Sequence, residues 1–407
     1  MTTSTPANDE TAVYLDHAAS TPMYAEAVAA MSAQLTHVGN PSSLHAAGRD
    51  ARRVVEESRE TIAAALGARP GEVVFTSGGT ESDNLALKGL YWARRSLDPQ
   101  RTRILSTSVE HHAVLDPLHW LGEAEDARVE LLPVDAQARL DVAALRATIA
   151  ADPESVALVS VMWANNEVGT VQPLDEVVEA AHAHGIPVHT DAVQAVPGLP
   201  VDFAASGVDA MTVTAHKLGG PYGVGALVVR RDLELTALVH GGGQERDVRS
   251  GTIDAPAIAG FATAVELAVK HRPERSARIA GLRDDLIRGV LDQVPDAILN
   301  GPPLDADRQA RLPGIAHFSF PGCEGDSLLM LLDARGIACS TGSACSAGVP
   351  QPSHVLLAMG AGEVQARGSL RFSLGHTSGA DDVRALVSAI GPVVERARAA
   401  GLTSKAV

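Results

Sequence analysis

The chain is expected to fold as an α/β protein: a large domain built on a mostly parallel seven-stranded sheet, followed by a smaller C-terminal α/β domain. Three observations carry this expectation. Strand-length apolar runs alternate with longer segments of helical periodicity, the signature of parallel strands joined by helices. The length, 407 residues, exceeds one ordinary folding unit, and a 45% hydrophobic content is ample for a buried core. Near residue 254 the pattern changes, and strands give way to two long helical segments.

In chain order, an amphipathic helix rich in Arg, Glu and Ala is expected over 45–66, ahead of the sheet. Seven candidate strands follow at 72–76, 103–107, 128–133, 156–161, 187–190, 210–214 and 226–229. Helices are expected between them at 80–95, 113–123, 142–150 and 173–184. The two long helical segments run from about 254 to 294, broken near Pro273. Strands at 315–320, 337–339 and 369–373, interleaved with helices, complete the pattern. The expected division is an N-terminal segment, 1–20, packing on the small domain, a large domain over 21–263 and a small domain over 264–407. No low-complexity region or internal repeat interrupts it.

A net charge of −16 argues against a general nucleic-acid or anionic-membrane surface, because phosphate affinity draws on clustered Lys and Arg. The first ten residues are polar and acidic, and no segment offers eighteen uninterrupted apolar residues, so a cytoplasmic protein is expected. Cys323, Cys339 and Cys345 are an odd number in a long chain, which fits reduced thiols better than a disulfide framework.

The chemistry starts at Lys217. It stands in Thr214-Ala215-His216-Lys217, after one apolar run and before the glycine-rich 219–223. Upstream, another apolar run ends in His189-Thr190-Asp191-Ala192-Val193-Gln194. A lysine and an aspartate at the ends of neighbouring strands are what pyridoxal phosphate (PLP) needs: the amine condenses with its aldehyde, and the carboxylate keeps the pyridine nitrogen protonated. The blander readings are a strand-end cap for Asp191 and an exposed residue past the strand for Lys217. A lysine at the end of an apolar strand, however, pays a desolvation cost unless paired or modified. Ser77-Gly78-Gly79-Thr80-Glu81-Ser82 follows a strand and opens a helix, where free N–H groups and the positive dipole end can hold a phosphate. Alone it is also an ordinary strand-to-helix turn.

His111 follows the strand at 103–107 and can stack on a planar cofactor and relay protons, or be a buried histidine satisfied by hydrogen bonds. With His112 and His119 it raises zinc, but the spacing does not match His-Glu-x-x-His. Cys345, in Ser340-Thr341-Gly342-Ser343-Ala344-Cys345-Ser346-Ala347-Gly348, sits among small polar residues and is the candidate nucleophile. Cys339 reads as a core thiol, and Cys323 lies in a turn with no evident catalytic setting. Arg371 alternates with apolar residues in Ser369-Leu370-Arg371-Phe372-Ser373; it can capture a carboxylate with its fork or form a structural salt bridge.

Read together, these segments resemble the PLP-dependent cysteine desulfurases of the class-V aminotransferase family, in the first group, which serves iron–sulfur cluster assembly. The resemblance spans nearly the whole chain. It runs from Tyr14-Leu15-Asp16-His17-Ala18-Ala19-Ser20-Thr21-Pro22 through Gly39-Asn40-Pro41-Ser42-Ser43, the Gly79-Thr80-Glu81 turn, Asn165-Asn166-Glu167-Val168-Gly169 and His216-Lys217. It continues through Arg249-Ser250-Gly251-Thr252 and the Cys345 loop, of the longer kind found in the first group, to Arg371-Phe372-Ser373.

The resemblance implies a PLP-dependent transferase fold of type I, conversion of L-cysteine to L-alanine, and a persulfide on Cys345 that is passed to a sulfur-accepting protein, such as an iron–sulfur scaffold or a tRNA-thiolating enzyme. It makes Lys217 the Schiff-base lysine and Asp191 the partner of the pyridine nitrogen. Asn166 and Gln194 contact the ring hydroxyl, and His111 stacks on the ring and adjusts the substrate thiol. Gly79, Thr80, Thr214 and His216 hold the phosphate, joined by Thr252 from the second subunit of a homodimer. Asn40 and Arg371 hold the substrate carboxylate. No resident metal is implied, although Cys345 as a transient iron–sulfur ligand stays open. Two departures are small: Thr214 stands where Ser is frequent, and Gln244 where some members have His. Selenocysteine lysis or another class-V PLP reaction remains an alternative, as do a non-enzymatic sulfur carrier and, most weakly, a zinc hydrolase.

Overall fold

The central strands form where short runs are buried on both faces. The structure, a computed structural model, describes residues 13–342 and 351–404. Its strands in chain order are β1 (Val13–Tyr14), β2 (Val73–Thr76), β3 (Arg103–Thr107), β4 (Arg128–Leu132), β5 (Val156–Ser160), β6 (Val188–Asp191), β7 (Ala210–Thr214), β8 (Gly225–Val229), β9 (Ile298–Asn300), β10 (Ile315–Ser319), β11 (Ile337–Ala338) and β12 (Ser369–Ser373). The chain divides into two compact units, one of 20–165 and 171–274, the other of 13–19, 166–170 and 275 onward.

The larger unit holds a seven-stranded sheet in the order β2-β8-β7-β6-β5-β3-β4. β8 alone runs against the others, being antiparallel to both β2 and β7, while the remaining pairs are parallel. β2, β5, β7 and β8 are buried along their whole length, as strands covered on both faces must be. Its first four helices are α1 (Ala25–Leu35), α2 (Ala46–Ala65), α3 (Gly79–Leu97) and α4 (His112–Ala124). Leu87, Leu90 and Tyr91 of α3 pack with Ile104 of β3 and with Val114, Leu118 and Leu121 of α4 in one fully buried cluster. Each such side chain contributes about 1.5–3 kcal/mol by leaving water.

The smaller unit has a three-stranded antiparallel sheet, β12-β10-β9, and a parallel pair, β1 with β11. Phe318 and Phe320 meet Phe372 and Leu15 in a core closed by Leu286, Ile287, Leu386 and Ile390 from its long helices. The residues 166–170 join this unit through a bridge from Thr170 to Arg311 and a bond from Leu312 N to the Gly169 carbonyl of 2.7 Å. The break near Pro273 is real: one helix ends at Lys270 and the next, Arg272–Gln293, carries the proline in its first turn, where a missing N–H costs nothing. β1 and β9, two and three residues long, were not among the expected strands. No helix among the described residues is long and apolar enough to cross a membrane.

Candidate active site

Adjacent parallel strands deliver the two central groups. β6 is buried throughout and ends at Asp191, and β7 continues into a tight 3₁₀ turn, Ala215–Lys217, that releases Lys217 just past the sheet. The pairing sets Asp191 opposite Thr212 and His189 opposite Ala210. Asp191 Oδ1 accepts a 2.8 Å bond from Val193 N. Burial pushes the Asp191 carboxyl up to about 6, against the pull of that bond and of the Lys217 charge. The same lysine helps burial hold His216 down to about 4.

α3 points its N-terminus at this strand end. Its N-cap is Gly78, at φ 148°, so no side chain caps the first turn. A Cβ on Gly79 would lie 3.3 Å from Val193 Cγ2 and 3.9 Å from Thr212 Cγ2 and Thr214 Cβ, so the helix starts close against the ends of β6 and β7. Glu81, one turn in, accepts from Ser77 N at 2.7 Å and pairs with Arg249 at 2.9 Å. Burial alone would raise the Glu81 carboxyl, but these bonds win and lower it.

His111 is the N-cap of α4: its Nδ1 accepts from Ala113 N at 3.1 Å, which leaves the ring proton on Nε2. The ring is exposed rather than a buried core histidine. His112 and His119 each pair with a carboxylate four residues on, Asp116 at 3.1 Å and Glu123 at 3.2 Å. Among the described residues no group of three His, Cys, Asp or Glu side chains is placed to hold a metal ion.

Beneath these groups lie buried acids that the sequence reading passed over. Glu110 Oε1 accepts from Thr107 Oγ1 at 2.7 Å and Met162 N at 2.9 Å, and burial drives its carboxyl up to about 8. Asp83, on the buried face of α3, is raised by burial and by Asp191, and lies 3.5 Å from His189 Nε2. His189 also meets Ser160 Oγ at 2.9 Å and Thr212 Oγ1 at 3.1 Å, and burial lowers it to about 3. Glu110 adjoins His111 and Asp83 lies four residues after Gly79, but nothing in periodicity marks either as buried beside a second acid.

The remaining expected residues are dispersed. Gln194 is half-buried just after Asp191, and Thr80 is exposed in the first turn of α3. Asn40 and Thr252 line one small cleft with Arg59, Gln244 and Glu245, and neither Lys217 nor Asp191 lines it. The Asn40 side chain accepts from Ser42 N at 2.9 Å in a local turn. In the smaller unit Arg371 pairs with Asp16 at 2.8 Å and donates to the Asn166 carbonyl at 2.9 Å. Its Nε is buried without a hydrogen-bond partner among the described residues. Cys323 and Cys339 are free and buried, and burial raises Cys339 to about 12, so neither is a ready nucleophile. Cys345 lies outside the described residues.

This donor set fits PLP. An uncapped helix N-terminus suits a phosphate, a buried carboxylate with a raised pKa wants a cationic N–H partner, and an amine stands beside it. The fold and this arrangement define a PLP-dependent enzyme. The chain belongs to the class-V aminotransferases, whose family model matches residues 13–386. It is similar to the IscS-like cysteine desulfurase of Mycobacterium tuberculosis, 58% identical over 391 residues that cover 96% of this chain and 98% of that one. The cysteine desulfurase IscS of Dictyoglomus turgidum is 42% identical over 95% of each chain. Among solved structures, a NifS-like protein matches with a TM-score of 0.86 at 33% identity, covering 95% of this chain and 100% of that chain.

Proposed function

We propose that this enzyme is a cytoplasmic, homodimeric cysteine desulfurase that uses PLP to convert L-cysteine to L-alanine and supplies the sulfur for iron–sulfur cluster assembly. The observation that carries the reading is Asp191 and Lys217 at the ends of adjacent strands, beside a helix N-terminus without a capping side chain. The relatives' names, cysteine desulfurases, agree with the desulfurase activity in it.

When bound, PLP supplies an aldehyde for the substrate amine and a ring that takes up electrons from the bonds at Cα. Lys217 Nζ would hold the cofactor, and its amine would take the proton from the substrate Cα. Asp191 would hold the proton on the ring nitrogen; burial raises its carboxyl to about 6, a cost that a cationic N–H partner would offset. Gly79, Thr80, Thr214 and His216 bind the phosphate, and Asn166 and Gln194 orient the ring. His111, its proton on Nε2, would stack on the ring and adjust the substrate thiol. Asn40 and Arg371 would bind the substrate carboxylate, Arg371 through its guanidinium. In net terms the Cβ–S bond of the substrate is replaced by a Cβ–H bond, and the sulfur remains on the Cys345 thiol as a persulfide for a sulfur-accepting protein. Thr252 serves the phosphate of a second copy of the chain; its exposed position, in a cleft that Lys217 does not line, supports that assignment.

The test is release of alanine and sulfide from L-cysteine by PLP-loaded protein with a thiol reductant present. Equal amounts of both are expected; neither product would reject the reading.

A further inference from the structure

Two in-register neighbours of the large sheet do not bond to each other although their positions invite it. Asp191 on β6 and Thr212 on β7 are partners in the ladder, so their side chains rise from one face of the sheet on strands about 4.8 Å apart. Ser160 on β5 pairs with His189, which stands two residues before Asp191, so all four side chains share that face. A hydroxyl beside a carboxylate is a ready donor to it. Here it is turned elsewhere. Thr212 Oγ1 meets His189 Nε2 at 3.1 Å, while Thr212 Cγ2 faces the start of α3, 3.9 Å from the Cβ position of Gly79. Among the described residues the Asp191 carboxylate accepts one hydrogen bond, from Val193 N at 2.8 Å.

His189 is fixed in its turn. Ser160 Oγ meets its Nδ1 at 2.9 Å, so the ring is held at both nitrogens and cannot rotate without breaking both bonds. The ring is 0% exposed, and burial lowers it to about 3, so it stays neutral and the 3.5 Å approach of Asp83 Oδ1 to Nε2 is not an ion pair. The other groups that act on Asp191 are Lys217 from the turn after β7, Asp83 from α3 and Glu110 from the segment after β3. Lys217 favours the Asp191 carboxylate, whereas burial, with Asp191 beside them, raises both of the other acids. A hydrogen bond to a carboxylate stabilises its charged form and lowers its proton affinity. A second donor on Asp191 would therefore weaken its hold on a cationic N–H.

We propose that His189 is a positioning residue for Asp191: by holding the Thr212 hydroxyl it keeps that donor off the carboxylate and reserves the carboxylate for the ring nitrogen of the cofactor. The cofactor half of this inference rests on the PLP reading, whereas the withholding of the hydroxyl does not. The experiment uses the full-length protein freed of PLP and reads two quantities. One is the titration of the Asp191 carboxyl, isolated as the infrared difference against Asp191→Asn; the other is the dissociation constant of added PLP. His189→Asn keeps a group for Ser160 and removes the nitrogen that meets Thr212, which releases the hydroxyl. Asp191 is then expected to titrate about one unit lower and PLP to bind about tenfold more weakly. His189→Gln, whose amide reaches the place of Nε2, is expected to stay within about twofold of wild type, as is His189→Asn combined with Thr212→Val, which has no hydroxyl to release. A merely structural histidine would not be rescued by Thr212→Val. An unchanged Asp191 titration in His189→Asn overturns the proposal, and so does failure of Thr212→Val to reverse the shift. Should His189→Asn not fold, Thr212→Val alone decides: unchanged PLP affinity is expected, and a loss of about tenfold would mean that the hydroxyl supports Asp191, against the proposal. A lowered Asp191 titration in a protein whose wild type binds no PLP would leave the positioning role standing and remove the PLP reading.

Discussion

Asp191 faces Thr212 in the parallel register of β6 and β7, and the strand that carries Thr212 delivers Lys217 five residues later. Carboxylate and amine therefore leave the sheet from neighbouring strands, and the Lys217 charge favours the ionised Asp191.

Lys217→Ala is expected to fold, since the side chain is only half-buried past the strand, but to lose its hold on PLP. Gel filtration of the reconstituted variant should yield protein without visible absorption. Alanine formation should fall by about 10³-fold or more, as for a lost nucleophile and base.

Asp191→Asn keeps Oδ1 for the bond from Val193 N and removes only the charge. PLP should still bind, with kcat lowered about 10²- to 10³-fold because the ring nitrogen is no longer held protonated. Stopped-flow absorbance after mixing with L-cysteine measures the slowed step.

Glu110 ties the stability of the larger unit to pH. Its folded pKa, about 8, lies above the usual 4.5, so the stability it contributes is complete below about 4.5 and is lost as pH rises through 8. Glu110→Gln keeps an acceptor for Thr107 and Met162 and cannot ionise. Urea unfolding should show the variant more stable than wild type at pH 9, by on the order of a few kcal/mol, with the gap closing toward acid.

Arg371→Lys and Asp16→Asn separate a substrate role from a structural one. Asp16→Asn removes the charge that Arg371 pairs with at 2.8 Å, whereas Arg371→Lys keeps a cation and removes the guanidinium fork. KM for L-cysteine should rise about tenfold to a hundredfold in Arg371→Lys and much less in Asp16→Asn. Equal KM values in the two variants, with equal losses of thermal stability, would assign Arg371 to structure alone.

The seven strands of the large sheet were legible because parallel strands buried on both faces read as continuous apolar runs, as in β5 and β7. Order and direction were not: the antiparallel β8 differs from its parallel neighbours in nothing that composition records. At the site, Lys217, Asp191 and the Gly79 turn stood out because each breaks an apolar pattern at a strand end. Glu110 and Asp83 did not, since their meaning comes from acids distant in sequence that the fold gathers beneath Asp191. Arg371 was correctly placed on a strand, yet its pairing with Asp16 crosses 355 residues of chain and has no local signal.

The most direct test compares persulfide formed on the enzyme from L-cysteine by PLP-loaded wild type and Cys345→Ser. The wild type is expected to carry one persulfide sulfur, on Cys345, for each alanine released before reductant is added. The variant is expected to bind PLP and respond spectrally to L-cysteine but form neither persulfide nor alanine at an appreciable rate. Persulfide at the wild-type rate in Cys345→Ser would contradict the account.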